Sequence, residues 1–158
     1  MESTDASIIS SIFSTRLMEI KEILTPKNML ITVGPIVIIM SLWGMTHGDE
    51  WAEIGWGEGN VLAHDEAYEE MWALHLMPLG VMAIVTALVV TGKELAKVAM
   101  FAPLALVNML GGMLILTSDN GYGVTPTGVV AALAGLLMLA TVLTCVSGFM
   151  HKDGESEA

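Results

Sequence analysis

The stretch from Met71 to Gly92, MWALHLMPLGVMAIVTALVVTG, decides the fold class because it contains no Asp, Glu, Lys or Arg. A helix of about 20 such residues crosses the roughly 30 Å hydrocarbon core of a bilayer. Three further uncharged blocks flank it, at 29–46, 98–118 and 128–150. Lipid offers no hydrogen-bond partner to the backbone, so these four blocks predict four transmembrane helices in an all-α bundle. A soluble bundle would instead show polar stripes at helical period, and no block shows one.

The composition of the whole chain agrees with an integral membrane protein. Of its 158 residues, 54% are hydrophobic and 15% are charged, whereas soluble domains carry about 25% charged residues. The net charge of −11 would be repelled by phosphate backbones, which excludes nucleic acid as an expected partner. A single cysteine, Cys145, permits no intrachain disulfide.

The basic residues predict the orientation of the chain. They precede the first span, join the second span to the third, or follow the fourth: Arg16, Lys21, Lys27, Lys93, Lys97 and Lys152. The other two connections contain no Lys or Arg. Cytoplasmic loops carry the excess of basic residues in membrane proteins, so both termini are expected in the cytoplasm of a cell-membrane protein.

Residues 1–28 form a separate segment that is too polar to span a membrane. Apolar residues recur there at steps of three and four: Ile9, Phe13, Leu17, Ile20 and Leu24. This spacing predicts an amphipathic helix on the cytoplasmic membrane surface, or one that packs on the bundle or a partner. The short acidic tail at 151–158 is expected to be disordered.

The connection at 47–70 is predicted to be a long acidic loop on the external side. It carries eight acids: Asp49, Glu50, Glu53, Glu58, Asp65, Glu66, Glu69 and Glu70. Trp51 and Trp56 lie among them and suit the headgroup zone of the membrane. Residues 65–70 are expected to form the first turns of the second span, where carboxylates complement the helix dipole.

Histidines near the external side form a candidate metal site. Its predicted ligands are His47, His64, Asp65 and His75, a set that suits Cu, Zn or Fe. His75 lies about one turn inside the second span, and ionisable groups within a membrane are functional candidates. The alternative is that His75 is an interfacial residue that hydrogen-bonds to a neighbouring helix, because no ligand pair here has the i, i+3 or i, i+4 spacing of helical metal sites.

Small and polar residues in the third and fourth spans predict close helix packing. The candidates are Asn108, Gly111, Gly112, Ala131, Gly135, Ala140, Thr144 and Gly148. An unpaired amide in hydrocarbon is costly, so Asn108 is expected to hydrogen-bond across a helix crossing that the adjacent glycines make tight. The small residues of the fourth span permit packing within the bundle or against another subunit.

The central part of the chain, from about Ala73 to Leu116, combines a histidine near the start of a span, the basic turn GKELAK at 92–97 and the run PLALVNMLGG at 103–112. In these features it resembles small four-helix membrane proteins of the DoxX-like group. The resemblance implies a four-helix bundle and, in some relatives, association with quinone-linked or thiol-linked oxidoreductases. The acidic loop at 47–70 departs from that pattern.

The chain carries no motif of a known catalytic type, so no catalytic residue is predicted. A phosphate-binding loop, a GxSxG elbow, an HExxH pair and a CxxCH haem motif are all absent from the sequence. The leading hypothesis is a non-catalytic accessory or assembly subunit of a larger membrane complex, respiratory or oxidase-like, with lipid, other subunits or further copies of the chain as partners. The alternatives are a metal- or quinone-binding redox protein and an oligomeric transporter or channel.

Overall fold

The computed structural model describes residues 15–16, 18–117, 119, 121–123 and 128–154. Its helices are α1 (Pro26–Thr46), α2 (Gly48–Trp56), α3 (Asp65–Val89), α4 (Gly92–Thr117) and α5 (Gly128–Met150). These described ranges contain no strand. Four helices, α1, α3, α4 and α5, are long and apolar enough to cross a membrane. The predicted all-α fold with four spans is confirmed.

The helix ends follow local capping chemistry. The side chain of Thr25 accepts a hydrogen bond of 3.2 Å from the Asn28 backbone N–H, and Pro26 occupies the first turn. Helix α1 therefore begins before the uncharged block at 29–46. Residues 18–23 are helical, while most of the predicted amphipathic segment and residues 155–158 of the predicted tail lie outside the described residues.

The acidic connection at 47–70 is more ordered than the sequence indicated. Helix α2 fills its first part, and α3 begins at Asp65, as the sequence predicted for the turns that lead into the second span. The Asp65 side chain accepts a 2.7 Å hydrogen bond from the Leu62 backbone N–H, which fixes the chain where it enters α3. We refer to the end of the bundle that carries α2 as the α2 end.

Helices α1 and α3 pack most extensively with each other. A Cβ on Gly34 would lie 2.8 Å from the Gly80 carbonyl oxygen, and a Cβ on Gly80 would lie 2.7 Å from the Gly34 carbonyl oxygen. The buried Ser41 hydroxyl donates to the Ala73 carbonyl at 2.6 Å across the same contact. Small residues and a polar bond hold the two helices together, as is typical of helix pairs in membranes.

Helices α4 and α5 form a second close pair. A Cβ on Gly148 would lie 2.6 Å from the Ala96 carbonyl oxygen, and the Cys145 thiol contacts the Met100 carbonyl at 3.5 Å. Ala140, Thr144 and Gly148 are all buried. Of these three residues, Gly148 lies at the close contact with α4, and Ala140 and Thr144 are buried inside the bundle.

The bundle core lies where the two helix pairs meet. Its buried members are Val37, Met40, Leu76, Leu106 and Leu137, one or two from each long helix. The outside is also apolar: Val89, Ile115 and Leu116 are 71%, 77% and 81% exposed. A soluble monomer rarely exposes contiguous apolar patches larger than a few hundred Å². A lipid bilayer is the environment that accommodates this surface.

Candidate functional site

The predicted metal ligands lie in separate local environments. The His47 ring stacks on Trp43, with ring centroids 4.2 Å apart and planes 5° apart. Its Nδ1 contacts the Thr46 hydroxyl at 2.8 Å and the Trp43 carbonyl at 3.1 Å. His47 thus packs at the junction between α1 and α2. Local hydrogen bonds already occupy its Nδ1.

His64, Asp65 and His75 do not complete a ligand set with His47. His64 lies beside Asp65, with 3.6 Å between Nε2 and Oδ1. His75 is exposed on the outside of α3, and its Nδ1 contacts the Met71 carbonyl of its own helix at 2.6 Å. In the part of the chain that the structure describes, no three His, Cys, Asp or Glu side chains group to hold a metal ion. The structure gives no support to the predicted Cu, Zn or Fe site.

A different polar pair lies at the α2 end. The Tyr122 hydroxyl donates a 2.8 Å hydrogen bond to Glu69 Oε1, across 53 positions of sequence. Glu69 is buried in the wall of the bundle, at 6% exposure. The pair connects the segment between α4 and α5 to the inner face of α3.

Tyr122 is held in place by helix α2. Its ring lies on Gly55, where a Cβ would overlap the ring, and it meets the Trp56 ring edge-on with centroids 5.0 Å apart. The Gly123 backbone N–H donates to the Gly55 carbonyl at 2.7 Å. Only glycine at position 55 leaves room for this arrangement.

The surroundings of Tyr122 favour its neutral form. Burial raises the pKa of the Tyr122 phenol above its ordinary range, and the negative charge and hydrogen bond of Glu69 act in the same direction. At neutral pH the phenol therefore carries its proton and can donate it in a hydrogen bond.

The register of α3 explains why Glu69 points inward. The buried residues of this helix, Asp65, Glu69, Ala73, Leu76 and Gly80, recur at steps of three and four. Such spacing defines one face of a helix. Sequence reasoning placed Glu69 only among the carboxylates in the first turns of the second span. The spacing of Glu69 to Ala73 and Leu76 was the sequence signal that Glu69 faces inward.

An apolar cavity of about 170 Å³ adjoins the pair. Trp51, Trp72, Glu69 and Tyr122 line it at the α2 end, and Leu106 and Leu137 belong to the buried core that lines it deeper in the bundle. The Trp51 indole N–H is buried, and no described residue accepts a hydrogen bond from it. The cavity thus combines apolar walls with the Glu69–Tyr122 pair at one end.

The predicted packing residues of α4 face away from the bundle. Asn108 is exposed, and its carboxamide makes no hydrogen bond within the described ranges. A Cβ on Gly111 or Gly112 would meet nothing within 4 Å. The expected hydrogen bond between Asn108 and a neighbouring helix is therefore not formed, because α4 packs on the others through a different face that includes Ala96, Ala99 and Leu106.

The first small-residue pair of α5 also lies outside the main contact. Ala131 is half-buried and Gly135 is exposed, and a Cβ on Gly135 would meet nothing within 4 Å. Among the residues that the structure describes, this pair makes no close helix crossing. Of the two roles that the sequence left open for it, contact with another subunit is the one that remains a prediction.

The fold defines the class of the molecule: an all-α integral membrane protein with four bilayer-length helices and an apolar cavity near one end, beside the Glu69–Tyr122 pair. No protein-family model, curated protein or solved structure matches the chain. The resemblance to the DoxX-like group stays a prediction.

Proposed function

We propose that this protein is a non-catalytic subunit of a larger membrane complex and contacts a transmembrane helix of another subunit through α4. The observation that carries the proposal is the exposed Asn108 carboxamide near the middle of that helix. A polar group of this kind that faces hydrocarbon without a partner costs several kcal/mol. A partner helix that offers an amide, hydroxyl or carbonyl group at this depth would remove the cost.

The surface around Asn108 suits such a helix. Gly111 and Gly112 lie about one turn away with open space above them, so a second backbone can approach closely. Leu104 and Ile115, which are 60% and 77% exposed, provide apolar contacts on either side. We call this surface, formed by Leu104, Asn108, Gly111, Gly112 and Ile115, the α4 face.

Site-specific photo-cross-linking in cells tests where the partner lies. A benzoylphenylalanine in place of Leu104 or Ile115 should form an adduct with one partner protein, while the same group in place of Val81 on α3 should not. Val81 is a suitable control because it is also exposed in the middle of a long helix. An adduct that contains only this chain would indicate self-association, which contradicts a hetero-complex, and equal adducts from all three positions would contradict the assigned face.

The variant Asn108→Leu tests the energetic basis of the contact. Because Asn108 is exposed in the single chain, leucine there should leave the fold intact and improve its fit to lipid. An interhelical amide hydrogen bond contributes about 1–2 kcal/mol in model systems, so association with the partner should weaken about five- to thirtyfold. Quantitative co-purification in mild detergent measures this, and unchanged recovery of the cross-linked partner would contradict the proposal.

The orientation belongs to the same proposal. The basic residues support cytoplasmic termini in the cell membrane and an external α2 end. The resemblance to DoxX-like proteins adds that the complex is a quinone-linked or thiol-linked oxidoreductase. A second candidate function, a redox protein that binds a small molecule, is favoured by one observation, the apolar cavity beside the Glu69–Tyr122 pair at the α2 end.

A further inference from the structure

The segment before α1 carries apolar side chains that the bundle does not cover. Residues 18–23 are helical, and the Leu24 backbone N–H donates to the Ile20 carbonyl at 2.9 Å. Ile20 and Ile23 are three positions apart, so they lie on one side of this helix. They are 47% and 66% exposed. Neither the bundle nor any other described part of the chain shields these two isoleucines.

The charged residues of the same segment lie off that side. Glu22 is two positions from Ile20, which places it on the opposite side of the helix. Lys21 flanks the isoleucines, and Arg16 pairs with Glu19 at 3.2 Å. Isoleucine on one side and charge on the other is the pattern of a helix that lies in the membrane interface.

The position of residues 18–23 places them at the edge of the bilayer. Helix α1 (Pro26–Thr46) has 21 residues, and its length of about 30 Å matches the hydrocarbon core. Its first residue therefore lies where hydrocarbon meets the headgroups, and Ile23 is three positions before it. The Asn28 side chain donates to the Ile23 carbonyl at 3.2 Å, which holds the end of the short helix at the start of α1.

The amount of exposed apolar surface favours lipid over a protein as the cover. A stable protein interface buries roughly 800 Å² on each partner, far more than two isoleucine side chains supply. Lipid needs no such area, because the short helix is already held at the membrane by α1. Ile31, in the second turn of α1, is 38% exposed, so apolar surface lies on both sides of the junction.

We propose that residues 18–23 form a lipid anchor, in which Ile20 and Ile23 insert among the lipids around the start of α1. Lys21 and Glu22 stay among the headgroups and water. The partner is the lipid surface itself, and the anchor fixes the depth at which α1 enters the bilayer. The proposal does not depend on the subunit role assigned to the α4 face, which uses different residues.

Electron paramagnetic resonance of the purified full chain in phospholipid nanodiscs tests the proposal without any partner subunit. The variants Ile20→Cys, Ile23→Cys and Glu22→Cys, each in a Cys145→Ala background, carry a nitroxide label. Oxygen dissolves in hydrocarbon, whereas a nickel chelate stays in water. The ratio of oxygen collisions to nickel collisions should be severalfold higher at positions 20 and 23 than at position 22, which is the matched control on the same helix.

Tryptic cleavage after Arg16 tests the anchor without a label. In nanodiscs, the double variant Ile20→Ser and Ile23→Ser should be cleaved there severalfold faster than the natural protein. Met18→Ser is the matched control, because Met18 is 58% exposed but lies on the other side of the helix, and its cleavage rate should not change. These side chains are exposed in the single chain, so circular dichroism should show an intact bundle in every variant.

Two outcomes of the collision experiment would overturn the proposal. Nickel collisions that dominate equally at positions 20, 22 and 23 would place the whole helix in water. Low collision rates with both reagents at positions 20 and 23 would place the isoleucines against protein. In the cleavage experiment, equal rates for the double variant and for Met18→Ser would contradict insertion of the isoleucines into lipid.

Discussion

At the scale of single residues, Tyr122 joins three parts of the molecule. Its hydroxyl reaches Glu69 on α3, its ring lies on Gly55 of α2, and the chain continues from it into the connection before α5. A phenol in this position stays neutral because its ionised form would lose hydration beside a carboxylate. The protonation state of one residue therefore reports whether the α2 end is assembled.

We expect Tyr122 to ionise at higher pH than a free phenol. Its pKa is raised, so the folded protein keeps the proton through the range in which an unfolded chain loses it, and folding stability should fall once the pH exceeds about 10. The tyrosinate absorbance at 295 nm, taken as the difference between the natural protein and Tyr122→Phe, measures this ionisation.

At pH 11 this difference should be clearly smaller than that of a free phenol, which has a pKa of about 10 and would be about nine-tenths ionised. Circular dichroism at the same pH provides the control that the helices persist. A difference titration centred near pH 10 in the folded protein would show that Tyr122 is solvated and that the contact with Glu69 is not formed.

At the scale of helices, small residues decide which pairs touch. Gly34 and Gly80 bring α1 and α3 into backbone contact, and Gly148 does the same for α5 against α4. Gly111, Gly112 and Gly135 face open space instead. Small residues therefore occur both at close helix contacts and on open surfaces of this protein. Only the register of each helix distinguishes the two positions.

The variants Gly80→Ala and Gly135→Ala form a matched pair that tests this distinction. A methyl group at position 80 would lie 2.7 Å from the Gly34 carbonyl oxygen, so the helices must separate. Forced overpacking of this kind costs about 1–3 kcal/mol. At position 135 the methyl group meets nothing within 4 Å, and alanine should be neutral or stabilise α5 by up to about 1 kcal/mol.

The free energy of unfolding in mixed detergent micelles measures both effects. Helical content before unfolding is the control that each variant starts from the same fold. Equal stability of the two variants would mean that Gly80 is not at a close helix contact, and the α1–α3 pairing would have to be revised.

At the scale of the whole molecule, four spans were predictable because each needs only length and the absence of charge. The hydropathy of each stretch of about 20 residues reports both the length of an apolar segment and its lack of charge. The contact between Gly34 and Gly80 was harder to predict, although Ala73, Gly80 and Ala87 recur every seven residues and all are buried. Seven-residue spacing of small residues was the signal that sequence reasoning missed.

The sites were less predictable than the spans, for a physical reason. One region of the sequence contains the predicted ligands His47, His64, Asp65 and His75. Their side chains lie apart because each one follows its local backbone hydrogen bonds and the register of its helix. The bond between Tyr122 and Glu69 joins residues 53 positions apart, which depends on how α2 folds over the bundle end. No local pattern around Tyr122 encodes that contact.

The proposed orientation of the bundle places the α2 end outside the cell and both termini in the cytoplasm. Glu58 and Asp153 are exposed residues, the first beside α2 and the second beyond α5. Single cysteines introduced at these positions in a Cys145→Ala background can be labelled with a membrane-impermeant maleimide in intact cells. A cysteine has no other copy in this background, so each signal belongs to one position.

Labelling of these two variants is the most direct test of that claim. We predict that Glu58→Cys reacts in intact cells and that Asp153→Cys reacts only after the membrane is permeabilised. Reaction of Asp153→Cys in intact cells, with or without reaction of Glu58→Cys, would contradict the orientation. Recovery of the protein in the soluble fraction without detergent would contradict the membrane-spanning bundle itself.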